Sequence, residues 1–168
     1  MALVMKRSIA VIGSFKQYND QIQILCAKFR DAGLFVTSPQ GTEIIEQGIN
    51  FVRFHSDRAE SSDAAVQSLA LHRILRSDLV YVFVPEGYIG KTTCYEVGRV
   101  LQSGIPIYFS QQPLDLPVHV PESFVMNAEI LLSRLGDPAW HPEWLYATHD
   151  DEVGELERQL RAGALRND

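Results

Sequence analysis

The sequence predicts one doubly wound α/β domain spanning residues 1–168, built on a mostly parallel, five-stranded sheet. Three observations predict it. The hydrophobic period switches repeatedly between strand-like and helical, a continuous apolar run occupies the middle of the chain, and no repeat, low-complexity stretch or linker divides it. A chain of 168 residues with 46% apolar composition has the size of one hydrophobic core.

Ser8 to Ile12 is a short apolar run closed by Gly13 and Ser14, a strand entering a turn. Ile22, Leu25, Cys26, Phe29 and Ala32 then fall on one helical face, and Gly33 supplies the stop. Leu34 to Thr37 repeats the strand signal and Ser38-Pro39 closes it, because the residue before a proline is pushed to extended geometry. The opening unit is therefore βαβ. From Gly41 to Glu60 the pattern weakens: Thr42 to Gln47 reads as a short helix and Phe51 to Phe54 as an edge strand or loop, an excursion outside the core. Helical spacing returns from Asp63 to Arg76 through Val66, Leu69, Ile74 and Leu75. Leu79 to Val84 follows without polar alternation, as expected of a strand covered on both faces, and marks the sheet's centre.

Pro85 to Thr92 reads as a loop, and Thr93 to Ser103 as a helix with Val97, Val100 and Leu101 inward. Gly104 and Pro106 end that helix before the strand Ile107 to Ser110. Ser123 to Met126 is the expected fifth strand, and Ala128 to Leu135 a helix stopped by Gly136. Residues 137–168 form a C-terminal tail and helix, with Trp140 to Thr148 packed down and Glu152 to Ala162 helical.

Composition narrows the function classes. The longest apolar candidate, Leu79 to Pro85, is far short of the roughly 18 residues a membrane span needs, so no membrane partner is expected. Met1 to Arg7 is too short in apolar residues for a signal core, and a cytoplasmic location is the expectation. Cys26 and Cys94 are too few for a disulfide scaffold and lack paired ligand spacing, which predicts reduced thiols. A net charge of −6 argues against a nucleic-acid backbone as partner. The charge is uneven: residues 1–84 carry nine basic and eight acidic groups, residues 85–168 six and thirteen. The densest run, Asp150, Asp151, Glu152, Glu155 and Glu157, reads as a solvated helix face. His149 beside it has no defined ligand spacing, and no metal is assigned.

In doubly wound sheets ligands sit at the carboxyl ends of the strands, here the turns after Ile12 and Val84. The first, Gly13-Ser14-Phe15-Lys16, lets backbone approach a ligand and precedes a helix start suited to an anion such as a nucleotide phosphate. It carries neither a dinucleotide fingerprint nor a P-loop, and a tight strand-to-helix turn calls for Gly and Ser on local grounds alone. In the second, Thr93 as N-cap would put Glu96 at the third helical position, a capping box. The same placement would set a carboxylate in the field of a helix N-terminus, favouring its ionised form at the mouth of a ligand site. An ionised carboxylate is also what a glycosyl-transferring enzyme uses as nucleophile, so capping and catalysis both stand on spacing alone.

The turn after the first strand, Ser77-Asp78 before the central strand, and Gly87-Tyr88-Ile89-Gly90-Lys91-Thr92-Thr93-Cys94-Tyr95-Glu96-Val97-Gly98 together resemble the nucleoside 2-deoxyribosyltransferase superfamily, including its nucleoside 5′-monophosphate N-glycosidases. The likeness covers about residues 8–112, and its most specific part is T-x-x-E-x-G. It implies a flavodoxin-like sheet, a homodimer or larger assembly, and N-glycosidic cleavage through a glutamate nucleophile at Glu96. Gly13, Ser14 and Phe15, with Lys16, are then the positions implied for sugar and phosphate; Tyr88, Gly90 and Thr93 complete the substrate loop. Tyr88 would either stack on a base or cover the loop. The family's aspartate two turns before Asp78 corresponds to Ala70, and its loop aspartate or serine six residues before the nucleophile to Gly90. The general acid is thus left without a match, and His72, nearby in sequence, faces another way on its helix. Asp78 reads as a strand-entry hydrogen-bonding residue; Lys16, Arg53 and Arg58 are candidate phosphate partners as well as ordinary surface charges. The expected partner is a nucleoside or nucleotide, with no metal or organic cofactor required. A non-catalytic nucleotide-binding module on the same fold, and a flavin-binding one, are the alternatives.

Overall fold

Parallel strands flanked by helices carry the structure, a computed structural model that describes residues 7–40, 44–46, 53–54 and 62–164. The elements run β1 (Ser8–Ile12), α1 (Phe15–Asp31), β2 (Phe35–Ser38), β3 (Ile44–Glu46), β4 (Arg53–Phe54), α2 (Asp63–Ile74), β5 (Leu79–Val82), α3 (Lys91–Ser103), β6 (Ile107–Phe109), α4 (Ala128–Gly136) and α5 (Glu152–Arg161). The main sheet has the order β2-β1-β5-β6, all parallel, and β3 and β4 form a separate antiparallel pair. Setting that pair aside, the main-sheet order is the flavodoxin-like 2-1-3-4 pattern of a doubly wound α/β fold.

β5 is covered on both faces, as its unbroken apolar run requires: Leu79, Val80, Tyr81 and Val82 are buried. Its Tyr81 ring meets Phe29 of α1 edge-on at 5.4 Å, and the Tyr81 hydroxyl donates to the Met126 carbonyl at 3.0 Å. Burial pushes that phenol far above its ordinary range, so it stays a neutral donor. Asp78 works at the entry to the strand. Its carboxylate accepts from the backbone N–H of Ser8 at 2.7 Å and from the Ser8 hydroxyl at 3.0 Å, tying the starts of β1 and β5 together.

The expected fifth strand, Ser123 to Met126, is not one: Glu122–Phe124 is a 3₁₀ turn, and only an isolated bridge pairs Val125 with Phe109. Pro121 has no N–H to donate, and Asn127 is committed to capping α4, its side chain accepting from Ile130 N–H at 2.9 Å. The 3₁₀ turn takes up Glu122–Phe124 and leaves only Val125 and Met126 to reach Phe109, so the sheet has four strands. The helix expected over Thr42 to Gln47 is also corrected, since Ile44–Glu46 is a strand paired with Arg53–Phe54; Thr42, Gln47 and Phe51 lie outside the described residues.

The tail packs as expected. Leu145 and Tyr146 are buried, and the Trp144 indole donates to the Leu101 carbonyl at 2.8 Å. Arg158 of α5 donates to the carbonyls of Tyr146 and His149 at 2.6 and 2.8 Å. The acidic run is largely solvated, with Asp150, Asp151, Glu152 and Glu155 exposed, while Asp151 caps α5 by accepting from Gly154 N–H at 2.7 Å. Leu131 of α4 is fully buried, whereas Leu160 of α5 is exposed. Leu131→Ala is therefore expected to cost about 2–5 kcal/mol in urea denaturation and Leu160→Ala less than about 0.5 kcal/mol. Equal effects would contradict this placement of the core.

Candidate functional site

A crevice opens in a doubly wound sheet where neighbouring strands send their connections in opposite directions. β1 and β5 are those neighbours: β1 leads to β2 on one side and β5 to β6 on the other. The turn after β1 packs against Phe83, just beyond the end of β5. Phe83 N–H donates to the Ile12 carbonyl at 2.8 Å, and the Tyr18 and Phe83 rings meet edge-on at 6.0 Å. A Cβ on Gly13 would stand 3.1 Å from the Phe83 carbonyl oxygen and 3.2 Å from Ile22 Cδ1, so the close approach of the turns relies on glycine. Ser14 caps α1 through its carbonyl, which accepts from Tyr18 N–H at 2.9 Å, while its hydroxyl makes no capping bond. Phe15 is half-buried against the core, and Lys16 is exposed on the first turn of α1.

In the second turn Gly90 has φ 88°, and a Cβ there would lie 3.1 Å from the Tyr88 hydroxyl. Tyr88 thus folds back over its own loop, although the residue remains 39% exposed. The capping box is not formed. α3 begins at Lys91 with Gly90 as N-cap, so Thr93 lies inside the helix, buried, and Glu96 in the second turn. No side chain caps the first turn of α3; just ahead of it the Asp115 carboxylate accepts from Ile89 N–H at 2.9 Å and from Gly90 N–H at 3.0 Å and holds the loop into the helix. With that carboxylate holding the loop, the helix begins two residues before Thr93 and needs no side chain at Gly90. Asp115 is the residue that sequence reasoning missed. Its partners lie 25 and 26 positions away, and no local spacing announces such a pairing.

Glu96 therefore stands apart from the first-turn N–H groups that would have favoured its ionised form. The residue is only partly buried, yet its carboxyl is desolvated, and that desolvation pushes its pKa from the ordinary 4.5 up to about 8. Among the described residues it has neither a hydrogen-bond nor an ion-pair partner. The expected ionised carboxylate is thus, in the free protein at neutral pH, mainly a neutral acid. The Cys94 thiol two residues earlier is also raised, by burial and then by the Asp115 charge.

Of the remaining positions, His72 is exposed on α2, Ala70 is half-buried on the same helix, and Arg58 lies outside the described residues. Among the described residues no group of three or more His, Cys, Asp or Glu could hold a metal, and no helix is long and apolar enough to cross a membrane. Neither a protein-family model nor a curated protein matches the chain. Among solved structures, a conserved protein from Enterococcus faecalis V583 aligns with a TM-score of 0.48 at 17% sequence identity, covering 92% of this chain and 99% of that one.

A carboxyl whose pKa is raised by folding destabilises the native state once the unfolded chain ionises. The native state carries no such cost below pH 4.5; the cost grows as pH rises towards 8 and is constant above. Glu96→Gln removes it. The variant is expected to match the parent near pH 4 and to exceed it by about 4 kcal/mol near pH 8, read by urea denaturation across pH. A difference independent of pH would contradict the desolvated carboxyl.

Proposed function

We propose that the protein cleaves or transfers the N-glycosidic bond of a nucleoside or nucleoside 5′-monophosphate through Glu96. The observation that carries the reading is the desolvated Glu96 carboxyl, without a hydrogen-bond or ion-pair partner among the described residues, on the helix that follows the central strand. A carboxylate without compensating donors keeps its full nucleophilicity and is drawn to developing positive charge, which an oxocarbenium-like sugar supplies. Ionised Glu96 attacks C1′ as the bond to the base breaks, the base takes a proton from solvent, and a glycosyl ester forms. Water or a second base then displaces the ester with overall retention. Gly13, Ser14 and Phe15 line the sugar side, Tyr88 offers a ring face to the base, and Gly90 keeps the loop close to it. Thr93, buried in α3, supports the helix from inside and does not touch substrate. The family resemblance implies a homodimer or larger assembly for this activity.

The absence of an acid at Ala70 and Gly90 favours one second reading, a nucleotide-binding module without turnover. A panel of nucleosides and 5′-monophosphates separates the two. On the enzymatic reading free base accumulates, Glu96→Gln lowers the rate by at least about a thousandfold, and kcat/KM rises with pH through about 8 because the free enzyme must lose the Glu96 proton. Ligand-induced stabilisation without free base would establish the binding module in its place. Cleavage untouched by Glu96→Gln would refute both the Glu96 nucleophile and the module without turnover.

A further inference from the structure

Away from the strand ends, α2 and α3 enclose a cavity of about 560 Å³. That volume lies within the roughly 300–1,000 Å³ typical of small-molecule sites. In a chain of net charge −6, no carboxylate lines it among the described residues. Leu71, which is buried, and Leu75 give its floor an apolar surface. Tyr95 and Arg99 form one wall as neighbours one helical turn apart, the guanidinium donating to the Tyr95 hydroxyl at 2.7 Å and lying 5.7 Å from the ring centroid. One of the guanidinium's five N–H groups is used in that bond, which leaves the others for a ligand beside Tyr95, itself 50% exposed. Gln67, Ser68 and His72 add hydrogen-bonding groups from α2.

A guanidinium fork selects a carboxylate or phosphate, because two parallel N–H groups match two anionic oxygens. An exposed aromatic face above an aliphatic floor selects a flat apolar body attached to that anion. We infer that the α2–α3 cleft binds a small organic anion, a carboxylate or phosphate carried on a planar ring, with Arg99 holding the anion and Tyr95 the ring. Glu96 is not part of its lining, and the inference stands whether or not that residue acts on nucleosides.

Calorimetric titration of the full chain with phenyl phosphate, inorganic phosphate and benzyl alcohol tests it. Arg99 and Tyr95 are exposed, so Arg99→Gln and Tyr95→Leu are expected to keep the fold, which far-UV circular dichroism checks. Phenyl phosphate is expected to bind the parent and Glu96→Gln equally. Inorganic phosphate and benzyl alcohol should each bind about tenfold or more weaker, Arg99→Gln should lose about tenfold for phenyl phosphate, and Tyr95→Leu about threefold or more. No binding of phenyl phosphate, binding unchanged by Arg99→Gln, or inorganic phosphate binding equally well would overturn the site. Tyr95→Leu binding like the parent would overturn the ring-stacking half of it.

Discussion

The parallel pairing of β1 with β5 is the constraint on which the rest depends. It places Ile12 beside Val82, which sends the two following turns out of the same sheet edge. The pairing is secured at its start by Asp78 and Ser8 and through its length by side chains withdrawn from water. Because both strands are interior to the sheet, their register cannot slip without exposing one apolar row and burying polar ends. The crevice is a by-product of that rigidity, and the glycine at position 13 lets its walls approach.

Upon this frame the local chemistry of α3 is set by a distant residue. Asp115 satisfies the N–H groups of Ile89 and Gly90, so the helix begins early and turns Glu96 away from the donors that would have held it ionised. Two carboxyls near one helix start are thereby given opposite environments. Asp115 accepts hydrogen bonds, while Glu96 is left desolvated with no compensating group among the described residues. Native proteins retain such an unfavourable group where it serves a purpose other than stability.

Much of the fold was legible because period and punctuation are local. The β1 strand ends where Gly13 begins the turn, α2 starts at Asp63 behind its Ser62 cap, and the Leu79 run could belong only to a strand covered on both sides. The failures are equally instructive. Ser123 to Met126 has strand-like residues, but the flanking Pro121 and Asn127 serve other ends, and a four-residue window could not express that competition. Thr93 and Glu96 satisfy the spacing of a capping box, yet the loop into the helix is held by Asp115 from 25 residues away, a tertiary effect invisible to any local pattern. The pairing of β1 with β5 followed from the doubly wound order, whereas the electrostatic state of Glu96 came from packing alone.

Direct titration of the Glu96 carboxyl by ¹³C NMR, with the parent spectrum assigned against Glu96→Gln, reaches the central claim without any substrate. A midpoint displaced upward to about 8 is the result the structure predicts. A midpoint at the ordinary glutamate value near 4.5 would show a solvated or compensated side chain and remove the physical basis for assigning it the reaction.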